Sequence, residues 1–262
     1  MKIITIGTLK GGTGKTATTF NLAGILAESH KVLLIDCDPQ TNLSLNCGVD
    51  ITAENINTVK DLFDDNINAE EVIFKWPIED LPLIDIVPSS IMLTATELNI
   101  VSRVGRENIL KNFISDNEIT FGRYDYILID TNPSMGIINQ NAFLAADSII
   151  LVSDVSLNGI QGTELFIELW ANARKHLRKN DNVKALIINN FDKRTKLSSE
   201  LIEYCAGNEN IKNIVLKTTI PASVQIKNAE IEHRTINFLY KNSPVHNAYK
   251  NIVQELQEKG VL

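Results

Sequence analysis

The sequence predicts an α/β fold with a doubly wound, mostly parallel sheet and helices on both faces. Short apolar runs alternate with longer segments of helical periodicity. Most of those runs are apolar at successive positions, as strands buried on both faces of a parallel sheet must be. The chain has 262 residues, close to the roughly 200 to 250 that one α/β domain reaches. A single domain spanning 1–262 is therefore expected.

Composition narrows the function classes. Hydrophobic residues at 44% and charged residues at 22% exclude a disordered or fibrous chain. Apolar runs such as Val32-Leu33-Leu34-Ile35 fall far short of the ~20 residues that span a bilayer. Met1 leads straight into Lys2-Ile3-Ile4-Thr5-Ile6, so no secretory signal is expected. Three cysteines (Cys37, Cys47, Cys205) without a Cys-x-x-Cys suit a reducing, cytoplasmic compartment. A net charge of -7 argues against coating nucleic acid over the whole surface. Residues 191–262 nevertheless carry 10 basic and 8 acidic side chains, so an anion-binding face belongs there.

The first strand, Ile3 to Ile6, runs into Thr8-Leu9-Lys10-Gly11-Gly12-Thr13-Gly14-Lys15-Thr16, which opens a helix over about 15–29. Glycines here let backbone N–H groups converge on phosphate oxygens, and the helix N-terminus adds partial positive charge. Gly11, Gly12, Thr13 and Gly14 form the cradle, Lys15 reaches the β- and γ-phosphates, and the Thr16 hydroxyl ligates Mg²⁺. The second strand, Val32 to Ile35, ends in Asp36-Cys37-Asp38-Pro39-Gln40, placing two aspartates where open α/β sheets bind ligands. Cys37 between them lacks an activating His or Lys and reads as packing. Residues 48–82 are irregular, with turns around Asp64-Asp65-Asn66, and read as an insertion at the sheet's edge.

Strand Ile84 to Val87 and a helix over 104–118 precede Tyr126-Ile127-Leu128-Ile129-Asp130-Thr131-Asn132-Pro133-Ser134. An aspartate ending an apolar strand beside a phosphate loop can hold Mg²⁺ through water, and Asp130 is that candidate. After a helix over 135–145 and strand Ile149 to Val152, a helix over 160–179 closes on Arg174-Lys175-His176-Leu177-Arg178-Lys179. Those cations complement the helix dipole, with DNA contact as the second reading. Strand Ala185 to Ile188 leads to Asn189-Asn190, and helices follow at 197–206, 223–231 and 244–259, with a last strand at Ile214 to Leu216.

The phosphate loop lacks the usual glycine at Leu9 and carries a second lysine, Lys10. Lys-Gly-Gly-Thr-Gly-Lys-Thr resembles the deviant Walker A box of the ParA/MinD group of ATPases, and the chain as a whole resembles the ParA/Soj-type partition ATPases. The resemblance implies that Lys10 reaches across an ATP-sandwiched dimer to the partner's phosphates. It implies too that Asp38 polarises the attacking water and Asp36 supports the Mg²⁺ shell, making Lys10, Lys15 and Asp38 the catalytic set. An adenine-reading Asn is expected at Asn189 or Asn190, with Asn189 favoured, although a loop Asn also makes Asx turns. Ile220-Pro221 resembles the step that packs near the base. Chromosomal members often place DNA-binding arginines where Ala222 and Gln225 stand; Lys217, Lys227, Arg234 and Lys241 could compensate, or could be ordinary solvated cations.

Three functions share this loop. The acidic end Val253-Gln254-Glu255-Leu256-Gln257-Glu258-Lys259 disfavours a MinD-like membrane helix. No cysteine lies between Asp130 and Ser153, which disfavours an iron–sulfur electron carrier. The four histidines show no metal-ligand spacing. The remaining expectation is a partition ATPase that uses ATP and Mg²⁺, dimerises on ATP, holds non-specific duplex DNA on the nucleoid, and hydrolyses when a centromere-binding ParB-like protein stimulates it. A module that uses ATP only to switch protein partners is the alternative.

Overall fold

A computed structural model describes residues 1–53, 56–64, 67–75 and 83–262. Seven strands form one sheet: β1 (Lys2–Gly7), β2 (Val32–Cys37), β3 (Phe74–Lys75), β4 (Ile84–Val87), β5 (Tyr126–Thr131), β6 (Ser148–Asp154) and β7 (Val183–Asn189), in the order β3-β4-β2-β5-β1-β6-β7. All pairings are parallel except β3 against β4. The doubly wound sheet predicted from the apolar runs is thus the observed one.

Alternation along each strand feeds two separate cores, and this is why the runs are continuously apolar. Ile3, Leu33, Ile35, Ile127, Ile129, Ile149 and Leu151 face one layer with Phe143, Phe166 and Trp170. Ile4, Ile6, Leu34, Leu128, Ile150 and Val152 face the other with Phe20, Tyr249 and Leu256. Helices α1 (Lys15–Leu26), α2 (Asn42–Asn46), α3 (Val59–Phe63), α4 (Ala69–Val72), α5 (Leu93–Ile100), α6 (Ile109–Asp116) and α7 (Glu118–Phe121) belong to the first part of the chain. The later part supplies α8 (Ile137–Ala145), α9 (Leu157–His176), α10 (Lys196–Gly207), α11 (Val224–Ile231), α12 (Ile236–Leu239) and α13 (Pro244–Glu258). Trp170 of α9 is fully buried and donates its Nε1–H to Asn182 Oδ1 at 2.9 Å, so its one polar atom is satisfied.

Several expectations need correction. Ile214 to Leu216 is not a strand: only Val215 bridges Leu186, because residues 211–215 are already coiled by bonds from Ile214 N and Val215 N to Ile211 O. The helix expected over 104–118 begins only at Ile109, because Gly105 adopts φ 71 and a 3₁₀ turn at Arg106–Asn108 intervenes. The insertion at 48–82 is more ordered than expected, contributing α3, α4 and the edge strand β3, while Asp65 and Asn66 of its expected turn lie outside the described residues. Cys37, Cys47 and Cys205 are buried free thiols, and burial pushes Cys37 and Cys47 well above the ordinary thiol range. Among the described residues no helix is long and apolar enough to cross a membrane.

Candidate functional site: a phosphate cleft at the carboxyl end of the sheet

β1 lies beside β6; the crossover leaving β1 leads to β2 on one side and that leaving β6 leads to β7 on the other, and the loop Thr8–Gly14 leaves β1 at the crevice this creates. Gly14 is the hinge into α1 with φ 90 and ψ 27, a left-handed conformation that disfavours any side chain. A Cβ there would also lie 2.1 Å from Asn189 Nδ2. The loop opens a cleft of about 420 Å³ lined by Gly11, Gly12, Gly14, Lys15, Thr16, Asp38, Asn189 and Asn190, with one wall of Ser223, Ile226, Lys227 and Glu230 from α11 and its N-cap.

Lys15 lines this cleft though only 7% exposed. Burial pulls its pKa down, while Asp130 and Asp38 push it back up. The parallel register sets Asp36 of β2 directly beside Asp130 of β5. Asp130 is fully buried, and its Oδ2 accepts the Thr16 hydroxyl at 2.7 Å while the Thr19 hydroxyl faces its Oδ1 at 3.1 Å. Burial raises Asp130 to about 6 against the opposing charge of Lys15. Thr16 and Asp130 form an all-oxygen pair beside the cradle, the donor chemistry that Mg²⁺ takes when phosphates and water complete its shell. Among the described residues no cluster of three or more His, Cys, Asp or Glu could hold a metal.

The second carboxylate pair divides in two. Asp38 lines the cleft, with Oδ1 accepting Gln40 N at 2.9 Å. Asp36 is fully buried and does not line it. Its Oδ1 accepts Asp38 N at 3.0 Å, and its Oδ2 accepts Ser44 N at 2.9 Å and Ser44 Oγ at 2.7 Å. Burial, then the nearby charge of Asp130, raises Asp36 to about 7.

The two asparagines also divide. Asn189 Nδ2 donates to Thr13 O at 2.7 Å, bolting the end of β7 to the phosphate loop, and its Oδ1 is buried without a partner. Asn190 lines the cleft with φ 53. Pro221 lies off the cleft, in a neighbouring groove with Phe191, Thr218 and Ala222.

Lys10 turns away from its own cleft. Its Nζ donates to Asp154 Oδ1 and Oδ2 at 2.9 and 2.7 Å and to Ser156 Oγ at 2.9 Å. Ser156 is the N-cap of α9, accepting Gly159 N at 3.0 Å. Asp154 was missed in the sequence although it closes an apolar strand just as Asp36 and Asp130 do; applying the strand-end rule to β6 would have found it. Ser44 and Thr19 carried no such signal.

The four candidate DNA cations belong to different segments. Lys217 stands beside Glu255, which accepts its backbone N at 2.8 Å, whereas Lys241 precedes the start of α13 at Pro244. About 16 Å of helix separates Pro244 from Glu255. Lys227 belongs to the cleft wall, and Arg234 stacks its guanidinium 4.6 Å above the Phe238 ring. In the 174–179 cluster, Arg174 pairs with Asp181 at 3.6 Å and Lys179 donates to Leu144 O at 3.0 Å.

Sheet order, phosphate loop and strand-end aspartates together define a P-loop NTPase. The AAA domain family matches residues 1–185. Soj of Bacillus subtilis, described as a sporulation initiation inhibitor protein, is 30% identical over 260 residues, covering 99% of each chain. The chromosome-partitioning ATPase Soj of Treponema pallidum is 29% identical over 94% of this chain and 93% of its own. Among solved structures, a Borrelia burgdorferi protein assigned to plasmid partition and bound to AMPPNP superposes with a TM-score of 0.77 at 25% identity, covering 98% of each chain. Apo McdA of Cyanothece has the same fold, with a TM-score of 0.87 at 22% identity over 98% of this chain and 99% of that one. The chain belongs to the ParA/Soj-type partition ATPases.

Proposed function

We propose that this protein is a DNA-partition ATPase that binds ATP with Mg²⁺, dimerises around it, holds duplex DNA without sequence preference, and hydrolyses slowly until a centromere-binding ParB-like partner stimulates it. Its place is the cytoplasm, on the nucleoid while ATP is bound. The observation that carries the reading is the pair of lysines. Lys15 lies within the cleft, whereas Lys10, six positions from Thr16 in the same loop, is held outside it by Asp154 and Ser156. A second loop lysine that cannot serve its own phosphates fits a role toward those of a second copy. Relatives that carry out chromosome partition support the same reading.

In this scheme Lys15 and the loop N–H groups neutralise and orient the β- and γ-phosphates. Mg²⁺ would be held by Thr16 and, through water, by Asp130, and it supplies charge neutralisation of the leaving group. Asp38 orients the attacking water from the cleft wall. Asn189, which also holds the loop through Thr13, and Asn190 both line the cleft and are the candidates for reading the base, with Asn189 favoured. Lys217, Lys227, Arg234 and Lys241 were the expected DNA footprint, and Pro221 the expected base contact. The second reading is a nucleotide-switched module that engages proteins and not DNA. Co-sedimentation with duplex DNA in ATP, in ADP and without nucleotide decides between them: partition predicts retention with ATP alone, and no retention at low salt would leave the switch module.

A further inference from the structure

We propose that Asp36 and Ser44 act as a pair of positioning residues that fix the backbone of Asp38, and that Asp36 is not part of the metal shell; this rests on Asp38 orienting the attacking water.

The argument starts from the loop that Asp38 occupies. β2 ends at Cys37, and the chain reverses at once: Asp38 O accepts Thr41 N at 2.9 Å, and Thr41 takes a left-handed φ of 59. A β-branched residue in that region is unfavourable by roughly 1–2 kcal/mol, so the turn needs something to hold it. Asp36 holds it from both sides. One oxygen accepts the amide of Asp38 itself, and the other accepts the amide and hydroxyl of Ser44 in α2, closing residues 36–44 into a ring around Asp38. Ser44 Oγ in turn accepts Ser89 N at 2.9 Å, anchoring the ring to the segment that follows β4.

Three donors on two oxygens commit Asp36 to the protein, and neither oxygen belongs to the cleft lining. Asp130 in the adjacent strand differs: its Oδ2 accepts the hydroxyl of Thr16, the candidate metal ligand, whereas Asp36 accepts only the backbone amide of Asp38 and the amide and hydroxyl of Ser44. Burying a carboxylate costs several kcal/mol unless its partners repay it, and a hydrophobic residue would pack there at lower cost. A buried Asp that lies outside the cleft lining and binds the backbone of a residue within it is explained by the geometry it imposes on that neighbour. Misplacing a reacting group by about 1 Å can cost on the order of 100-fold in rate, so a slack ring should lower turnover without loosening the phosphate cradle.

The test is Ser44→Ala in the full chain, measured by steady-state phosphate release across ATP and Mg²⁺ concentrations and by hydrogen exchange at the Asp38 and Gln40 amides. The expected result is a kcat lowered about 10- to 100-fold, with KM for ATP and the half-saturating Mg²⁺ within about twofold of wild type and faster exchange at both amides. Asp36→Asn, which loses one acceptor, should behave alike. An unchanged kcat in Ser44→Ala would overturn the proposal. So would a higher half-saturating Mg²⁺ with turnover restored by excess metal in Asp36→Asn, because that is the signature of a metal-shell residue. If neither variant folds, the pair serves stability alone and the positioning role falls. A wild-type chain that releases no phosphate refutes the ATPase reading instead, and the exchange comparison still judges whether Ser44 holds Asp38.

Discussion

Burial draws the Lys15 pKa below the ordinary lysine range, and the neighbouring charges of Asp130 and Asp38 oppose that shift only in part. Replacing Lys15 by Ala removes the buried cation of the cradle and leaves Asp38 in the cleft lining, with Asp130 behind it, without that counter-charge. Hydrogen bonds to charged groups contribute roughly 1.5–3 kcal/mol, so Lys15→Ala should weaken ATP binding by at least about 10- to 100-fold in isothermal titration. Gly14→Ala meets two obstacles, the left-handed φ of 90 and the Asn189 amide in the space a methyl would take. A melting curve should show it less stable by about 1–2 kcal/mol from the backbone alone, with weakened nucleotide binding. His246 offers a pH test. It is 2% exposed, its Nδ1 accepts Asn242 N at 3.0 Å, and burial draws its pKa below 6.5 despite Glu28. The unfolded chain then binds the proton more readily, so this stabilisation is complete above the unfolded pKa and is lost as pH falls toward the folded one. Urea unfolding at pH 7.5 and 5.5 should show a larger acid loss in wild type than in His246→Asn. The phosphate loop was legible because its chemistry is local. The job of Asn189 was not, since its partner Thr13 lies 176 positions away.

Most strands were legible as elements because two cores demand apolar side chains on both faces; the coiled 211–215 segment imitated that pattern, and the two-residue, exposed edge strand β3 is too short to show it. Helix α5 was not legible: its buried residues are Leu93, Thr96 and Ile100, and the threonine interrupts the apolar stripe. β6 and α9 are joined through Lys10, since Asp154 closes the strand and Ser156 caps the helix. Exchanging Lys10 for Ala should therefore leave ADP affinity within a fewfold while abolishing ATP-dependent dimers, a result light scattering reads directly. Persistent dimers with normal turnover would remove the role toward a second copy. Helix α13 depends on a simpler device: Ser243 accepts His246 N at 3.2 Å ahead of Pro244. Ser243→Ala should lower stability by about 1 kcal/mol, visible as a lower denaturant midpoint at constant slope.

At the scale of the whole molecule, charge and shape bear on the DNA reading together. With a net charge of -7, any DNA-binding face must be local, and Lys217 and Lys241 lie toward opposite ends of α13. Each lost phosphate contact reduces the log–log salt slope by about 0.9. Removing Lys217 or Lys241 should flatten that slope if the long edge of α13 tracks the duplex. Lys227→Ala should instead shift ATP affinity and leave the slope alone, because Lys227 belongs to the cleft wall. The sheet itself ends guardedly on both sides. On one, β3 is a two-residue antiparallel strand whose Lys75 pairs with Asp85 at 2.7 Å. On the other, backbone groups of β7 at Leu186 and Ile188 are taken up by Ile214, Leu216 and Ile220. Among the described residues neither rim offers the long row of free amides and carbonyls on which a foreign strand could nucleate. Concentrated stocks should accordingly stay free of fibrils for as long as the fold remains closed, with the lag before fibre growth following the rate of unfolding rather than protein concentration.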